Sequence, residues 1–501
     1  MENTAPATTV RGDGGSGREL PFTARTPWPR RLDTPLRTFL RTETGSAAML
    51  LLATAAALVW ANVDSASYER VWRTRLALAI GHAGVSHDLH YWQSSGLMTL
   101  FFFVVGLEAR REFDLGELRE RRRLLLPLLA GLGGIVVPVA IFLAVNAGHT
   151  SARGWGVAMS TDTAFALGAL ALLRPRFPIQ VRAFMLTVTV VDDLVALLVI
   201  ATAYSRSLDP FALLLAGALF ALVAVLIRIG IGRRIICVPL GVAAWLALSM
   251  SGVDPIVIGL AIGLVTFAAP AGRGNLERAS ELFRRFREQP TPELARSARV
   301  GLTSALSPNE HLQQLLHPWT SYAIVPLFAL ANAGIRIDGR FLERAFPSPI
   351  ALGIVIGYVA GKPLGIGAAS WLSTKLDRHA PGPPIGWLAI AGAGSVAGIG
   401  FTVSLLIAGI AFRGEQLAEA KLGVLSAALG APLLSWIVFR TAEHMPDRTR
   451  IGRCSVARKR LSIWRFRWIR SETTSAVLST PLSRSSSTAT SSAPTAAKRN
   501  P

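Results

Sequence analysis

Twelve long apolar runs dominate this chain. They lie near 46–63, 94–107, 124–146, 155–173, 183–204, 210–229, 234–250, 254–270, 317–335, 350–373, 385–412 and 419–440. A helix needs about 20 apolar residues to cross a bilayer. In hydrocarbon only helices and closed barrels satisfy every backbone N–H and C=O. These runs are continuous and lack the period-two alternation of a barrel strand. The expected fold is therefore an all-α polytopic membrane protein of about twelve transmembrane helices. Pro239, Gly252 and Pro255 interrupt the seventh and eighth runs.

Charge gives an independent check. The 501 residues are 51% hydrophobic yet carry a net charge of +21. In a soluble protein that balance would suggest nucleic acid. Here the basic residues sit in loops. With twelve spans drawn, one side receives Arg30, Arg31, Arg37 and Arg41, then Arg110, Arg111, Arg119 and Arg121–Arg123. The same side receives Arg174, Arg176, Arg182, Arg228, Arg233, Arg234, the 273–300 cluster, Lys375, Arg378 and the tail. Basic loops face the cytoplasm, so both termini are expected inside a bacterial plasma membrane. The charge is then assigned to lipid headgroups, with no nucleic-acid partner. The polar leader ahead of the first run is too long for a signal-peptide n-region. Two cysteines, Cys237 and Cys454, exclude a disulfide framework and have no metal-ligand spacing.

The domain reading has three parts. Residues 1–42 are a cytoplasmic leader expected to be disordered, and 43–442 form the membrane domain. Residues 443–501 form a basic, then Ser/Thr-rich tail, expected to be disordered, with Trp464 and Trp468 as candidate membrane-surface contacts. Within the domain, 64–90 is an external loop, and 271–316 is a cytoplasmic loop with a helical stretch at 276–289.

Four ionisable residues lie near the centres of runs: Asp162, Asp192, Asp193 and Lys362. A charge there costs roughly 2.5–3.5 kcal/mol on insertion scales, which marks an ion or proton site. Consecutive helical residues point about 100° apart, so Asp192 and Asp193 cannot do the same job. One can pair with Lys362, which lowers the cost of burying both, while the other faces a water-filled cavity. A carboxylate that accepts either a proton or a small hard cation makes the two compete. Two runs also look interrupted. Ser160, Thr161, Asp162 and Thr163 are consecutive polar residues that can satisfy freed backbone groups, and 394–404 contains Gly394, Gly398 and Gly400. Broken spans in corresponding positions, here the middle of spans three to five and ten to twelve, point to a transporter site. Asp162 or Lys362 would offset half-helix ends meeting there.

Thr161-Asp162, Asp192-Asp193, Gly361-Lys362-Pro363-Leu364-Gly365 and Gly398-Ile399-Gly400-Phe401-Thr402 resemble the signatures of the NhaA family of sodium/proton antiporters. So do Gly106-Leu107-Glu108 with Arg111-Glu112, His317-Pro318-Trp319, and Pro326-Leu327-Phe328 through Asn332-Ala333-Gly334. The likeness runs from about 40 to 442. That family is itself an established example of inverted repeats and discontinuous helices. The resemblance implies pH-regulated, electrogenic exchange of cytoplasmic Na+ or Li+ for external H+, with no cofactor, in a membrane lipid setting. It implies that Asp193 is the main cation ligand. Asp192 would be its proton-exchanging partner, paired with Lys362. Asp162 with Thr161 would sit at the helix crossing. Glu108, Arg111 and Glu112 would line the cytoplasmic entrance and serve pH regulation; positive-inside charge alone also accounts for these three. The 64–90 loop would be a homodimer contact. Gln313 replaces an acidic residue and Asp254 a histidine common in the family, which bears on the pH response.

Two rivals differ in class. An intramembrane aspartyl protease needs carboxylates facing each other across a cleft, which adjacent residues cannot do. The chain is therefore read as a transporter and not an enzyme. A proton- or sodium-coupled transporter of another small solute stays open. The absence of a phosphate-cradling GxxxxGK[ST] loop points to an ion gradient as the energy source.

Overall fold

The computed structural model describes residues 28–80, 83–116, 121–173, 179–205, 208–229, 234–268, 272–305, 307–376 and 387–444. The chain divides into one compact unit up to Val438 and a second from Phe439 onward. Of the tail, only the end of the last helix, Gly414–His444, is among the described residues.

Six helices are long and apolar enough to cross a membrane: Gly45–Val63, Leu125–Val145, Val181–Ala203, Pro210–Arg228, Pro349–Leu376 and Gly414–Thr441. A seventh span is a pair, Ala389–Ala397 and Thr402–Ala411, bent by 43° at its break. The other expected spans fall on shorter or interrupted elements. Met98–Leu115 follows a π-helical turn at Trp92–Leu97, and Thr163–Leu173 follows a 3-10 segment at Thr150–Ala158. Arg234–Met250 contains Pro239, Ile256–Val265 is only 10 residues, and Val325–Asn332 follows a π-helical turn at Thr320–Ile324. Length and hydropathy thus count six or seven spans among the described residues where the sequence suggests twelve.

The interruptions have local causes. A proline removes one N–H and leaves the carbonyl four residues back without its helical partner; a π turn absorbs the mismatch. Pro363 follows the π turn Gly357–Gly361, and Pro326 follows Thr320–Ile324. Glycine serves a different need where Met98–Leu115 packs on Ile256–Val265. A Cβ on Gly263 would meet the Gly106 Cα at 2.8 Å, so the two backbones touch directly.

Two expectations are corrected. The first helix begins at Trp28, so the end of the leader expected to be disordered is helical. The 64–90 loop folds as a helix, Ser65–Trp72, followed by a two-stranded antiparallel hairpin, Arg75–Ile80 with Ala83–Asp88. The fold is otherwise helical among the described residues. The 271–316 loop is also ordered, as Arg273–Glu288 packed on Pro292–Ala305.

Candidate functional site

The helix Ile179–Ala203 carries Asp192 and Asp193 at its middle, and both are buried. Their side chains part company as the 100° rule requires. Asp192 turns into protein. Its Oδ2 lies 2.5 Å from Lys362 Nζ, and both side chains are fully buried. Thr161 joins them: Lys362 Nζ donates to Thr161 Oγ1 at 2.8 Å. Thr161 Oγ1 lies 2.7 Å from Asp192 Oδ2 and 2.9 Å from the Ala397 carbonyl, and its single proton can go to either. The other carboxylate oxygen, Asp192 Oδ1, is buried and has no hydrogen-bond partner among the described residues. An ionised oxygen left so is costly in a low dielectric.

Asp193 turns the other way, into a cavity of about 390 Å3 that Asp162 and Thr161 also line. Glu108, Arg111 and Glu112 line it too, with Gln313 and His317. The cavity therefore joins the buried carboxylates to the charged end of Met98–Leu115. Several charged and polar groups approach one another there. Glu108 lies 3.9 Å from His317 and Arg111 lies 3.9 Å from Glu310. Thr187 Oγ1 donates to Glu112 at 3.4 Å. Gln313 is tied to Asn309, whose amide reaches the Leu107 and Thr266 carbonyls. Asp254 lies elsewhere, accepting from the Ile256 N–H at the start of its own short helix.

Asp162 sits where the two broken spans cross. Its Oδ1 accepts from the Phe165 N–H at 3.0 Å, capping Thr163–Leu173, and its Oδ2 accepts from the Thr402 N–H at 3.3 Å at the start of Thr402–Ala411. One carboxylate thus faces two helix N-termini, whose partial positive charges favour an anion. Its own N–H donates to the Ile399 carbonyl at 2.7 Å. The later span is a pair of half-helices, and the earlier one joins a 3-10 segment to Thr163–Leu173.

Sequence reasoning missed one member of this crossing, which joins Ser404 and Ser160 from the two interrupted stretches. Tyr358, fully buried on the π turn before Lys362, donates its hydroxyl to the Val157 carbonyl at 2.5 Å and makes a short bond with Ser404. Ser404 in turn bonds Ser160 at 3.1 Å. A Cβ on Gly400 would collide with the Tyr358 ring, which explains a glycine there. A tyrosine in an apolar run gives no signal of its own; only the run of small residues opposite it hinted at a close approach. No cluster of three or more metal-binding side chains occurs among the described residues. Asp193, Asp162 and Thr161 border one cavity with oxygen atoms, the donor type that hard cations favour.

A protein-family model described as Na+/H+ antiporter 1 matches residues 37–439. Among curated proteins, "Na(+)/H(+) antiporter NhaA 1" of Salinispora arenicola is 57% identical over 437 residues, covering 86% of this chain and 67% of that protein. "Na(+)/H(+) antiporter NhaA 3" of Salinispora tropica is 55% identical over 429 residues, covering 86% of this chain and 66% of its own. "Na(+)/H(+) antiporter NhaA 2" of Sorangium cellulosum is 42% identical over 422 residues, covering 81% and 89%. The chain spans about two-thirds of the length of the two Salinispora relatives.

Proposed function

This chain belongs to the Na+/H+ antiporter 1 family, and from that premise we propose that it exchanges cytoplasmic Na+ for entering H+ across the plasma membrane. The carrying observation is the division of labour in the aspartate pair: Asp192 is locked to Lys362 and Thr161, while Asp193 looks into the cavity. Na+ reaches Asp193 through the cavity past Glu108, Arg111 and Glu112, with both termini on that cytoplasmic side. It binds only a deprotonated carboxylate. Protons arriving from the other face neutralise the carboxylates and release it, and the protonated site returns. Asp192 takes a proton when its pair with Lys362 opens. More protons then enter than sodium ions leave, so membrane potential contributes about 2.3 kcal/mol per net charge per 100 mV. A ligand shifts a two-state equilibrium only by its differential affinity; here that difference is between Na+ and H+ at one carboxylate.

Li+, as another small hard cation, is a second substrate. The ions are cargo, no cofactor is required, and the reaction forms no covalent bond, so the protein is a transporter and not an enzyme. The 75–88 hairpin is the homodimer contact. The test is Asp193→Asn in proteoliposomes with an internal pH dye. Dilution into Na+ or Li+ should give no proton movement although the protein folds and reconstitutes. Retained exchange would refute the assignment, and a response to organic solutes instead would favour the coupled-solute reading.

A further inference from the structure

Arg273–Glu288 and Pro292–Ala305 form a helical hairpin whose main packing partners are each other. Ala279 and Leu282 of the first helix face Gly301 of the second, where a Cβ would meet Leu282 at 2.6 Å. Packing accounts for one apolar edge of the first helix and leaves another bare. Leu276 and Phe283, two turns apart on one face, are 50% and 51% exposed. On the second helix Val300 and Leu302, flanking the contact glycine, are 68% and 51% exposed. Leu276 and Phe283 together make an exposed apolar strip, and contiguous exposed apolar surface marks an interaction site.

Charge identifies the partner. The hairpin carries seven arginines and four glutamates. Arg284 and Arg285 are partly engaged by Glu281 at 3.0 and 3.1 Å. Arg273, Arg278 and Arg287 take part in no ion pair among the described residues. At 100° per residue, Arg287 and Arg273 lie beside the Leu276–Phe283 face, while Glu277, Glu281 and Glu288 fall away from it. An apolar face edged by arginine, with acids turned aside, is the pattern of a helix lying in a lipid interface.

Connectivity brings the two together. The apolar helix Ile256–Val265 ends only eight residues before Arg273, a reach of at most about 29 Å. The helix that begins at Pro308 follows just after Ala305. Arg110 stacks over Phe267 at 4.1 Å, and the Ala268 N–H donates to Asp114, which fixes the departure point at the end of Met98–Leu115. The hairpin is therefore tethered at both ends, on one side to a short apolar helix that packs on Met98–Leu115.

We propose that this hairpin docks on the anionic headgroups of the adjacent leaflet, with Leu276 and Phe283 inserted and Arg273 and Arg287 on the phosphates. The test uses the full chain with Cys237→Ser and Cys454→Ser, carrying Phe283→Cys labelled with an environment-sensitive fluorophore, in nanodiscs. Brominated lipid should quench the probe strongly in discs containing phosphatidylglycerol and weakly in phosphatidylcholine discs. The same label at Glu277→Cys should not be quenched, and adding Arg273→Glu with Arg287→Glu should abolish quenching at 283. Equal quenching in both lipids would overturn the headgroup assignment. A blue-shifted probe that lipid does not quench would mean that protein covers the face, and would overturn the proposal. A probe open to aqueous quencher in every disc would do the same. None of these readouts involves transport, so they stand or fall apart from the antiport reading.

Discussion

Replacing Lys362 with methionine tests the electrostatics at the heart of the site. Methionine keeps most of the lysine's volume and removes its charge. Asp192 then has one remaining side-chain donor, Thr161, for Oδ2, while Oδ1 has none among the described residues. Breaking a fully buried pair by removing one partner costs about 3–5 kcal/mol, and the zero exposure of both side chains argues for the whole of that range. With an unfolding entropy of roughly 2 cal/mol/K per residue over about 400 residues, this corresponds to a fall of about 4–6 °C in Tm. The assay is a thermal melt in detergent for Lys362→Met, Asp192→Asn and the double variant. Because an apolar or neutral replacement of a whole buried pair is often tolerated, the double variant should recover much of the loss, giving a coupling energy above about 1.5 kcal/mol. A single variant that melts like the parent, or a coupling energy near zero, would refute the claim that this pair is a mutually dependent buried ion pair.

Tyr358→Phe removes a hydroxyl that serves the Val157 carbonyl and Ser404; a loss of about 1–3 kcal/mol in Tm-derived stability is expected, with the pH profile of exchange displaced, and an unchanged profile would leave Tyr358 a packing residue only. Asp162→Ala uncaps two helices at once and should destabilise by about 1–4 kcal/mol, whereas Asp162→Asn keeps an acceptor and should recover part of that; equal losses in thermal melts would contradict the capping account. His90 lies just outside its span with its ring 3.0 Å from Asn332. Burial pushes its imidazole below the ordinary 6.5, Lys421 and Arg413 add to this, and Asp88 and Asn332 oppose it. Since the unfolded chain takes the proton first as pH falls, this contribution to stability is intact above 6.5 and is lost as pH drops through the lower folded value. Melts of the parent and His90→Gln between pH 8 and pH 5 should diverge at the acid end, and parallel curves would dismiss the effect.

The helical membrane class and the charged residues within the apolar runs were legible, though the count of twelve spans was not matched by length and hydropathy: about 20 apolar residues outweigh a few breaks, and a carboxylate among them has no cheap explanation. The split between Asp192 and Asp193 followed from helix geometry, although which member would face Lys362 came only from the resemblance. Tyr358 was invisible because its partners, the Val157 carbonyl and Ser404, belong to two other elements. The double cap by Asp162 was half visible: Thr163–Leu173 follows directly in sequence, but Thr402 is 240 residues away. The hairpin at 75–88 was missed because a short strand pair adds little to a hydropathy sum, although its alternating Leu76, Leu78 and Ile80 were there to read.

The crossing of the two broken spans also restricts how this protein can move. Two hydrogen bonds staple it, the Asp162 N–H to Ile399 and the Thr402 N–H to Asp162, with the Thr161 hydroxyl close to the Ala397 carbonyl. Pulling the spans apart would break these contacts together and uncap the N-terminus of Thr402–Ala411. Under the proposed exchange, the crossing would act as a fulcrum rather than a gate: helices around it would swing while the ion site between them kept its shape.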